Sequence, residues 1–160
     1  MKTTDTHVYF WDGIYSNWDM CHFTYQDIEF ANSEQAFMWC KAMAFADFTT
    51  AEKIKLETNP KKVKQLGREV KNFNTENWDT FRVLFMMAVN FAKFSQNPTY
   101  AQALKDTGNK ILVEASPVDK IWGVGLDENN PLILDEKNWK GLNLLGVSLM
   151  EVRKQLFKNI

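Results

Sequence analysis

The sequence predicts a mainly helical α+β fold with a few short strands. Apolar residues recur at helical spacing of three to four positions in most segments after residue 31. Short alternating segments bounded by turn residues, typical of strands, lie mainly before that point. Strands and helices do not alternate regularly, which disfavours a doubly wound parallel sheet. The chain of 160 residues contains no repeat or Pro/Gly/Ser-rich linker, so we predict one compact domain over residues 1–160.

The N-terminal region, residues 7–31, is rich in aromatic and turn-forming residues. Two segments, "HVYFW" (7–11) and "CHFTYQDIEF" (21–30), are predicted strands. The segment between them, "DGIYSNWDM" (12–20), is predicted to be a loop.

Helices follow these strands. The first is predicted over about 33–46, with Asn32 as its N-cap and Gln35 as the capping-box partner. A short helix is predicted over roughly 50–57. The next helix begins at Pro60, where the missing proline N–H costs nothing, and Asn59 is placed to cap it.

The longest helical pattern covers residues 77–94, and its predicted buried stripe comprises Trp78, Phe81, Phe85, Ala88, Val89 and Ala92. "ILVEAS" (111–116) is a predicted strand, and a glycine-bearing loop follows it. A C-terminal helix within "LLGVSLMEVRKQLF" has a predicted buried stripe of Leu145, Leu149, Val152 and Leu156.

Composition limits the function classes. The formal net charge is −1 and the isoelectric point about 6.1, so no global electrostatic attraction to nucleic acid or anionic membranes is implied. Two cysteines and two histidines without ligand spacing disfavour a disulfide framework and a metal centre, and we predict no cofactor. The longest apolar run, residues 84–89, is too short to span a membrane. We expect a cytoplasmic protein with no membrane association and no obligate protein partner.

Asn32–Ala42, "NSEQAFMWCKA", contains one acid and one base in an otherwise apolar or small-residue helix. Seven residues turn a helix by about 700°, so Glu34 and Lys41 lie on one face, about 10.5 Å apart along the axis. A lysine beside aromatic walls has its pKa lowered by desolvation, which leaves more of the nucleophilic neutral amine. The alternative is that Lys41 reaches the surface and Glu34 is a first-turn acid favoured by the helix dipole. The spacing is compatible with both.

The segment "VEASPVDKIWGVG" (113–125) places carboxylates next to a tryptophan at a strand exit. Glu114, Asp119 and Trp122 suit a site that binds a sugar or a base. A loop that needs glycine for its turns and aspartate for local hydrogen bonds is an equally good interpretation. The pair of glycines at 123 and 125 is only half of a dinucleotide-binding fingerprint.

Three other features have structural as well as functional interpretations. Residues 53–71 contain seven Lys or Arg against two Glu, a local balance of +5, which suits phosphate binding but is also typical of a solvated helix face. No basic stretch is interleaved with aromatic residues, as single-strand binders require. Trp78 is predicted to anchor the core, and Lys93 to favour the C-terminal helix dipole.

The ordered set of motifs resembles the YbiA/NADAR family. The matching blocks are S-N (16–17), "SEQAFMWCKA", "NPKKVKQLGREV", "NWD", "MMAVNFAKFSQNP", "LVEASPVDKIWGVG" and "GLNLLGVSLMEVR". They cover the chain from about Tyr9 to Leu156 in family order and spacing. The resemblance implies a compact, single-domain YbiA-like fold.

The resemblance also implies an N-glycosidase that hydrolyses the bond between ribose C1 and a nitrogen. One branch of the family removes ADP-ribose from modified guanine bases in nucleic acid, which is the expected activity here. Another branch acts on phosphoribosylamino-pyrimidine intermediates of riboflavin synthesis, which is the alternative. A second alternative is a non-catalytic module that binds ADP-ribose or an NAD-like ligand. The expected partner is therefore a ribosylated small molecule or an ADP-ribosylated nucleic acid.

Family roles transfer to matching positions of this sequence. The resemblance implies that the catalytic residues are Lys41, Glu34 and Asp119. Lys41 attacks the anomeric carbon or traps the open-chain aldehyde as a Schiff base, and Glu34 orients the sugar or moves the proton. The implied substrate-binding residues are Ser16, Asn17, Trp78, Met86, Trp122, Gly123 and Asn143. The family needs no metal or organic cofactor.

The sequence departs from the family pattern at three positions. Gln35 replaces a common histidine, so a proton relay through that position is not expected. Trp18 replaces the usual phenylalanine after S-N and is expected to reshape one edge of the pocket. Val124 replaces an acidic or polar residue between the two glycines, which affects the substrate contacts of that loop.

Overall fold

Residues 1–158 of the computed structural model are described, and the chain divides into two compact units. One unit comprises Met1–Ser16 and Pro98–Ile160, and the other Asn17–Asn97. We call them the sheet unit and the helical unit. The predicted mainly helical α+β class is confirmed, since helices predominate over short strands. The single domain over residues 1–160 stays a prediction.

The order of elements along the described chain is as follows: β1 (Lys2–Thr3), β2 (His7–Phe10), β3 (Phe23–Tyr25), β4 (Ile28–Phe30), α1 (Ser33–Ala44), α2 (Phe48–Leu56), α3 (Pro60–Arg68), α4 (Thr75–Gln96), α5 (Pro98–Asp106), β5 (Ile111–Glu114), two 3₁₀ helices (Pro131–Leu134 and Glu136–Asn138) and α6 (Leu144–Leu156).

The sheet unit contains a three-stranded sheet in the order β1-β2-β5. β1 is antiparallel to β2, and β2 is parallel to β5 with His7 opposite Ile111 and Phe10 opposite Glu114. A parallel pair needs a long crossover, which here includes the whole helical unit. The buried core on this sheet comprises Tyr9, Val113, Ala115, Val124, Leu126 and Ile133.

The helical unit combines a β3–β4 hairpin with α1 to α4. The continuous strand predicted over residues 21–30 is wrong, because the chain reverses at Gln26 and Asp27, both of which have positive φ (53° and 61°). Two central residues with positive φ are the geometry of a type I′ hairpin turn. Gln-Asp lacks the glycine that normally indicates this turn, so the sequence pattern did not reveal it.

The N-terminus of α1 follows the predicted capping pattern with one change. Asn32 Oδ1 accepts a hydrogen bond from Gln35 N at 2.8 Å, as predicted. Gln35 Oε1 accepts from Ala31 N at 2.8 Å, one residue before the position that a capping box uses. Gln35 Nε2 also donates to Ile54 O at 3.0 Å, so this buried amide connects α1 to α2.

Helix boundaries differ from the predictions by a few residues, and one helix was missed. α2 begins at Phe48 because Asp47 Oδ1 accepts from Thr50 N, and α4 begins at Thr75 because Asn74 accepts from Asn77 N. α5 was not predicted, although Pro98 stands at its first position, where proline commonly begins helices.

The buried face of α4 is rotated from the predicted stripe. Phe81 is 51% exposed, which contradicts its assignment to the core. Asn90 and Lys93 are fully buried. The prediction is confirmed for Trp78, Val89 and Ala92 and is wrong for Phe81. It omitted part of the inward face because it admitted only apolar residues, whereas that face includes an amide and an amine. The buried residues of this helix are Trp78, Met86, Val89, Asn90, Ala92, Lys93 and Phe94.

Within residues 1–158, no helix is both long enough and apolar enough to cross a membrane.

Gly146 in α6 provides a sharp test of packing against β5. A Cβ at this position would overlap Leu112 O and lie 2.5 Å from Asn143 Nδ2. Helix propensity alone predicts that Gly146→Ala stabilises by about 1 kcal/mol. We expect instead a loss of about 1–3 kcal/mol in the free energy of unfolding, because overpacking against backbone forces the elements apart.

Urea denaturation measures this change. The control is Val147→Ala, an exposed neighbour in the same helix, which should stay within about 0.5 kcal/mol of the parent. Stabilisation by Gly146→Ala would contradict the close approach of α6 to β5.

Candidate functional site

The residues assigned by the resemblance divide between the two units. The helical unit contains Asn17, Glu34, Lys41, Trp78 and Met86. The sheet unit contains Ser16, Asp119, Trp122, Gly123 and Asn143. Each set is described within its own unit.

Glu34 lies in the first turn of α1 and is 8% exposed. Its backbone N donates to Asn17 O at 2.9 Å, which fixes the S-N loop against the helix N-terminus. The helix dipole favours a carboxylate at this end. Glu34 is nonetheless buried with its neighbours from Ser33 to Met38, so it is not an ordinary solvent-facing first-turn acid.

Lys41 is half-buried on the same face of α1. Its Nζ lies 4.5 Å from the centroid of the Phe73 ring. Burial lowers the pKa of Lys41, the charge of Glu34 raises it, and the charge of Arg68 lowers it further. The predicted direction of the shift and its cause are confirmed.

An aromatic wall stands beside Lys41. The ring of Phe73 packs edge-to-face on that of Phe45, with ring centroids 5.2 Å apart, and the centroids of Phe45 and Trp78 are 6.2 Å apart. Phe37 and Phe85 pack on Trp78 with ring centroids 5.3 and 5.9 Å from its own, and Trp78 is only 8% exposed. Trp78 therefore anchors this wall, as the structural interpretation predicted, and a base-stacking role for it stays a prediction.

A polar cluster lies behind the S-N loop. Asn17 Nδ2 donates to Met86 Sδ at 3.4 Å, and Asn90 Nδ2 donates to Asn17 Oδ1 at 3.4 Å and to Met86 O at 3.1 Å. All three side chains are buried. The cluster holds Asn17, and with it the backbone that binds the N-terminus of α1.

Lys93 stands in the last turn of α4, where a cation favours the helix dipole as predicted, but its side chain is fully buried. Burial lowers its pKa to about 8, while the charges of Asp19 and Cys21 raise it. Both of these residues belong to the segment that continues from the S-N loop. Lys93 therefore faces that segment from α4.

In the sheet unit, Asp119 organises the loop after β5. Its Oδ1 accepts from Ile121 N at 2.9 Å and from Trp122 N at 2.8 Å. Its own N donates to Ser116 Oγ at 3.0 Å. These local hydrogen bonds account for an aspartate at this position, and its catalytic role stays a prediction.

Gly123 is required by close packing. A Cβ there would lie 2.9 Å from Asp119 O and 3.0 Å from Glu114 O, and Gly123 O accepts from Asn143 N at 3.1 Å. Trp122 is partly exposed, and its O accepts from Leu145 N at 3.1 Å. The W-G backbone therefore holds the start of α6.

Asn143 joins α6 to β5. Its Nδ2 donates to Leu112 O and its Oδ1 accepts from Glu114 N, both at 2.9 Å. Its backbone is left-handed, with φ of 53°, a conformation that asparagine tolerates better than most residues. These contacts explain the asparagine without a ligand. Ser16 is buried, and its N donates to Gly13 O at 2.9 Å. Substrate binding by either residue stays a prediction.

Three residues near Lys41 and the S-N loop are not predicted as site residues from the sequence. Phe73 stands in a polar segment, "KNFNTE", and an isolated aromatic residue there was its only signal. Arg68 is one of seven basic residues in 53–71, a run that is also typical of a solvated helix face. Asn90 follows Met86 by four residues and so shares its helix face, but a single buried amide leaves no periodic pattern.

The arrangement in the helical unit supports chemistry by an amine and a carboxylate. It presents a partly desolvated lysine, a buried carboxylate on the same helix face and an aromatic wall. Among residues 1–158, no group of three or more His, Cys, Asp and Glu side chains is placed to hold a metal ion.

The influence of Arg68 on Lys41 is directly testable. Arg68→Gln removes a positive charge that disfavours the ammonium form, so we expect the pKa of Lys41 to rise. The pH dependence of Lys41 acetylation, followed by peptide mass spectrometry, measures that pKa. Lys62→Gln, which removes an exposed charge from the same helix, is the matched control. An unchanged or lower pKa in Arg68→Gln would contradict this assignment.

Lys93 makes stability depend on pH. Below pH 8 the folded protein holds a buried ammonium, whereas the unfolded chain keeps its ordinary pKa near 10.4. Between these values the unfolded state binds more protons, so stability rises with pH. From pH 7 to 10, we expect the parent to gain about 2–3 kcal/mol relative to Lys93→Met.

Urea denaturation measures this difference, in a Cys21→Ser background that removes the facing thiol. Lys53→Met, an exposed change, is the control and should parallel the parent. If the free energy of unfolding varied with pH in the same way in Lys93→Met and in the parent, the lowered pKa of Lys93 would be disproved.

The comparisons with known proteins agree on one family. The family model described as NADAR domain matches residues 9–157. N-glycosidase R617 of Acanthamoeba polyphaga mimivirus is 43% identical over 127 residues, which cover 79% of this chain and 75% of that protein. Riboflavin biosynthesis protein VVA0006 of Vibrio vulnificus is 29% identical over 154 residues, and the match covers 93% of this chain but 38% of that protein.

The NMR structure of E. coli YbiA superposes with a TM-score of 0.78 at 28% identity, covering 97% of this chain and 87% of that one. The fold, the order of motifs and the family match therefore point to one conclusion: the chain belongs to the NADAR domain family.

Proposed function

We propose that the protein removes ADP-ribose from modified guanine bases in nucleic acid, with Lys41 as the nucleophile and Glu34 as its acid/base partner. The broader enzyme class, N-glycosidase, is that of its curated relatives and is the class of this protein. The setting we propose is the cytoplasm, where thiols such as those of Cys21 and Cys40 stay reduced.

The observation that carries the proposal is the state of Lys41. An exposed lysine is almost wholly protonated at neutral pH and has no lone pair for attack. Desolvation lowers the pKa of Lys41 and so increases the fraction of neutral amine. Glu34, buried on the same helix face, is a carboxylate that acts on that lysine.

The proposed reaction conserves atoms and electrons. Lys41 Nζ attacks ribose C1, the C1–N bond breaks, and its electron pair leaves with the base, which takes up a proton with the help of Glu34. Opening of the sugar ring gives a Schiff base on Lys41. Water then adds to C1 and the C1–Nζ bond breaks, which releases ADP-ribose and regenerates the amine, so the net reaction is hydrolysis.

The remaining assigned residues complete the proposal. The resemblance places Asp119 among the catalytic residues, and gives Ser16, Asn17, Met86, Trp122, Gly123 and Asn143 contacts to the substrate. The aromatic wall anchored by Trp78 supports binding of a flat base or adenine ring in the helical unit.

A second candidate substrate is a phosphoribosylamino-pyrimidine intermediate of riboflavin synthesis. The Vibrio vulnificus relative, named a riboflavin biosynthesis protein, is the observation that favours it. Both substrates have a ribose C1–N bond, so the same lysine chemistry serves either. The purified protein should be incubated side by side with ADP-ribosylated guanine oligonucleotide and with the riboflavin intermediates. Release of guanine-containing product from the first substrate at the higher kcat/KM supports our proposal, and exclusive turnover of the second supports the alternative.

The role of Lys41 predicts a covalent intermediate. We expect Lys41→Met to lower kcat by at least about 1000-fold, because loss of a nucleophile removes the whole covalent route. Borohydride added during turnover should leave one reduced ADP-ribosyl group on the peptide containing Lys41. Lys53→Met, which removes an exposed lysine of α2, should keep the parental kcat. Full activity in Lys41→Met would exclude the proposed nucleophile.

A further inference from the structure

The basic side of α3 starts beside Lys41 and runs away from it along the surface of the helical unit. Lys61, Lys64 and Arg68 are spaced by three and four residues, so they lie on one side of the helix over about 10.5 Å. The opposite side packs inward through Val63 and Gly67, which are both buried. α3 therefore presents a row of cations, one at each turn.

Close packing of α3 on α1 brings the end of this row to Lys41. A Cβ on Gly67 would overlap Met38 Sδ and lie 3.0 Å from Met38 Cγ, so the two helices approach closely there. Arg68 is the next residue along α3, and Lys41 lies one turn after Met38 on α1. The charge of Arg68 accordingly acts on Lys41.

Trp18 adds an exposed aromatic surface to the row. The Nζ of Lys64 lies 6.0 Å from the centroid of the Trp18 ring, and the tryptophan is 43% exposed. The sequence shows no aromatic residue interleaved with these cations, because Trp18 is more than 40 positions away. The fold supplies what the sequence pattern lacked: a stacking surface beside a basic track.

The charges of this row are not neutralised within the described protein. Among residues 1–158, no carboxylate lies within ion-pair distance of Lys61, Lys64 or Arg68, whereas Lys55 pairs with Glu52 at 2.9 Å. Since the net charge of the whole chain is −1, the positive potential is local to this surface. An unneutralised row of cations is complementary to a phosphate backbone.

We propose that the α3 track, formed by Lys61, Lys64, Arg68 and Trp18, binds the single-stranded nucleic acid that flanks the modified base. This inference rests on the proposed function, because it places that base at Lys41. Phosphates follow the three cations, and one unstacked base lies on Trp18. A single strand is the matching partner because an enzyme that acts on a base must take it out of a duplex, and an unpaired base needs no such opening.

The length of the track limits the number of nucleotides it contacts. Each nucleotide advances a strand by about 3.4 Å or more, so 10.5 Å accommodates at most about three flanking nucleotides. The KM for ADP-ribosylated substrates should therefore fall from the nucleoside to oligonucleotides with about three flanking nucleotides on one side, and stay constant beyond that.

The decisive variant is Lys61→Glu/Lys64→Glu, which reverses two exposed or half-exposed charges and leaves Lys41 and Arg68 in place. With a 12-nucleotide single strand containing one ADP-ribosylated guanine, we expect KM to rise about tenfold or more at 50 mM salt. With ADP-ribosylated guanosine as the substrate, we expect kcat and KM within twofold of the parent. Trp18→Ala should weaken binding of the oligonucleotide about fivefold to tenfold. Lys2→Glu/Lys137→Glu, the same charge change at exposed positions of the sheet unit, should affect neither substrate.

A binding measurement separates failure of this inference from failure of the proposed function. Fluorescence anisotropy with an unmodified, labelled 12-nucleotide strand needs no cleavage. In the parent, log K for binding should decrease linearly with the logarithm of the salt concentration. Each phosphate contact to a single strand contributes about 0.7 to the steepness of that line, so the steepness should be lower by about 1.4 in the double variant. Circular dichroism confirms that each variant is folded.

Three results would overturn the inference. One is unchanged binding and turnover of the oligonucleotide in the double variant. Another is an equal loss with the free nucleoside, which would place these cations on ADP-ribose itself. The third is the absence of salt-dependent binding of the unmodified strand to the parent. If the parent cleaves only riboflavin intermediates, the proposed function fails, and the anisotropy result alone still decides whether α3 binds a strand.

Discussion

The burial of the N-terminal half of α1 is the constraint on which the candidate site depends. Placing Glu34 inside the helical unit requires that the backbone around it be satisfied, and Asn32, Gln35 and the Asn17 carbonyl meet that requirement. The same burial extends along the helix to Lys41 and desolvates its amine. Helix capping, packing and chemistry are therefore consequences of one buried helix rather than independent features.

Two of the residues that the resemblance assigns to the site make structural hydrogen bonds in the sheet unit. Asp119 closes the loop after β5, and Asn143 ties α6 to β5 through both ends of its amide. Gly123 and Gly146 permit this because neither position has room for a side chain. The backbone that these residues support is a sufficient structural reason for them, and it also holds Trp122 in its loop.

Electrostatics distinguish the surroundings of Lys41 from those of Lys93. Burial lowers the pKa of both lysines, but Lys41 has Arg68 and an exposed aromatic ring beside it, whereas Lys93 is enclosed and faces Asp19. Partial exposure leaves Lys41 accessible to solvent, whereas full burial makes Lys93 a support for the segment after the S-N loop. The unneutralised cations of α3 extend the accessible environment outward from Lys41, and this continuity links the proposed chemistry to the proposed strand-binding track.

The sequence by itself determined what depends on local periodicity and residue chemistry: the α+β class, the Asn32 cap, the shared face of Glu34 and Lys41, and the family. Tertiary structure decided what depends on partners distant in the chain. It turned Phe81 outward and Lys93 inward, closed a glycine-free hairpin turn at Gln26 and Asp27, and placed Phe73 and Arg68 beside Lys41. It also brought Trp18 to Lys64. Such contacts leave no local periodic signal, because they are fixed by the packing of whole helices.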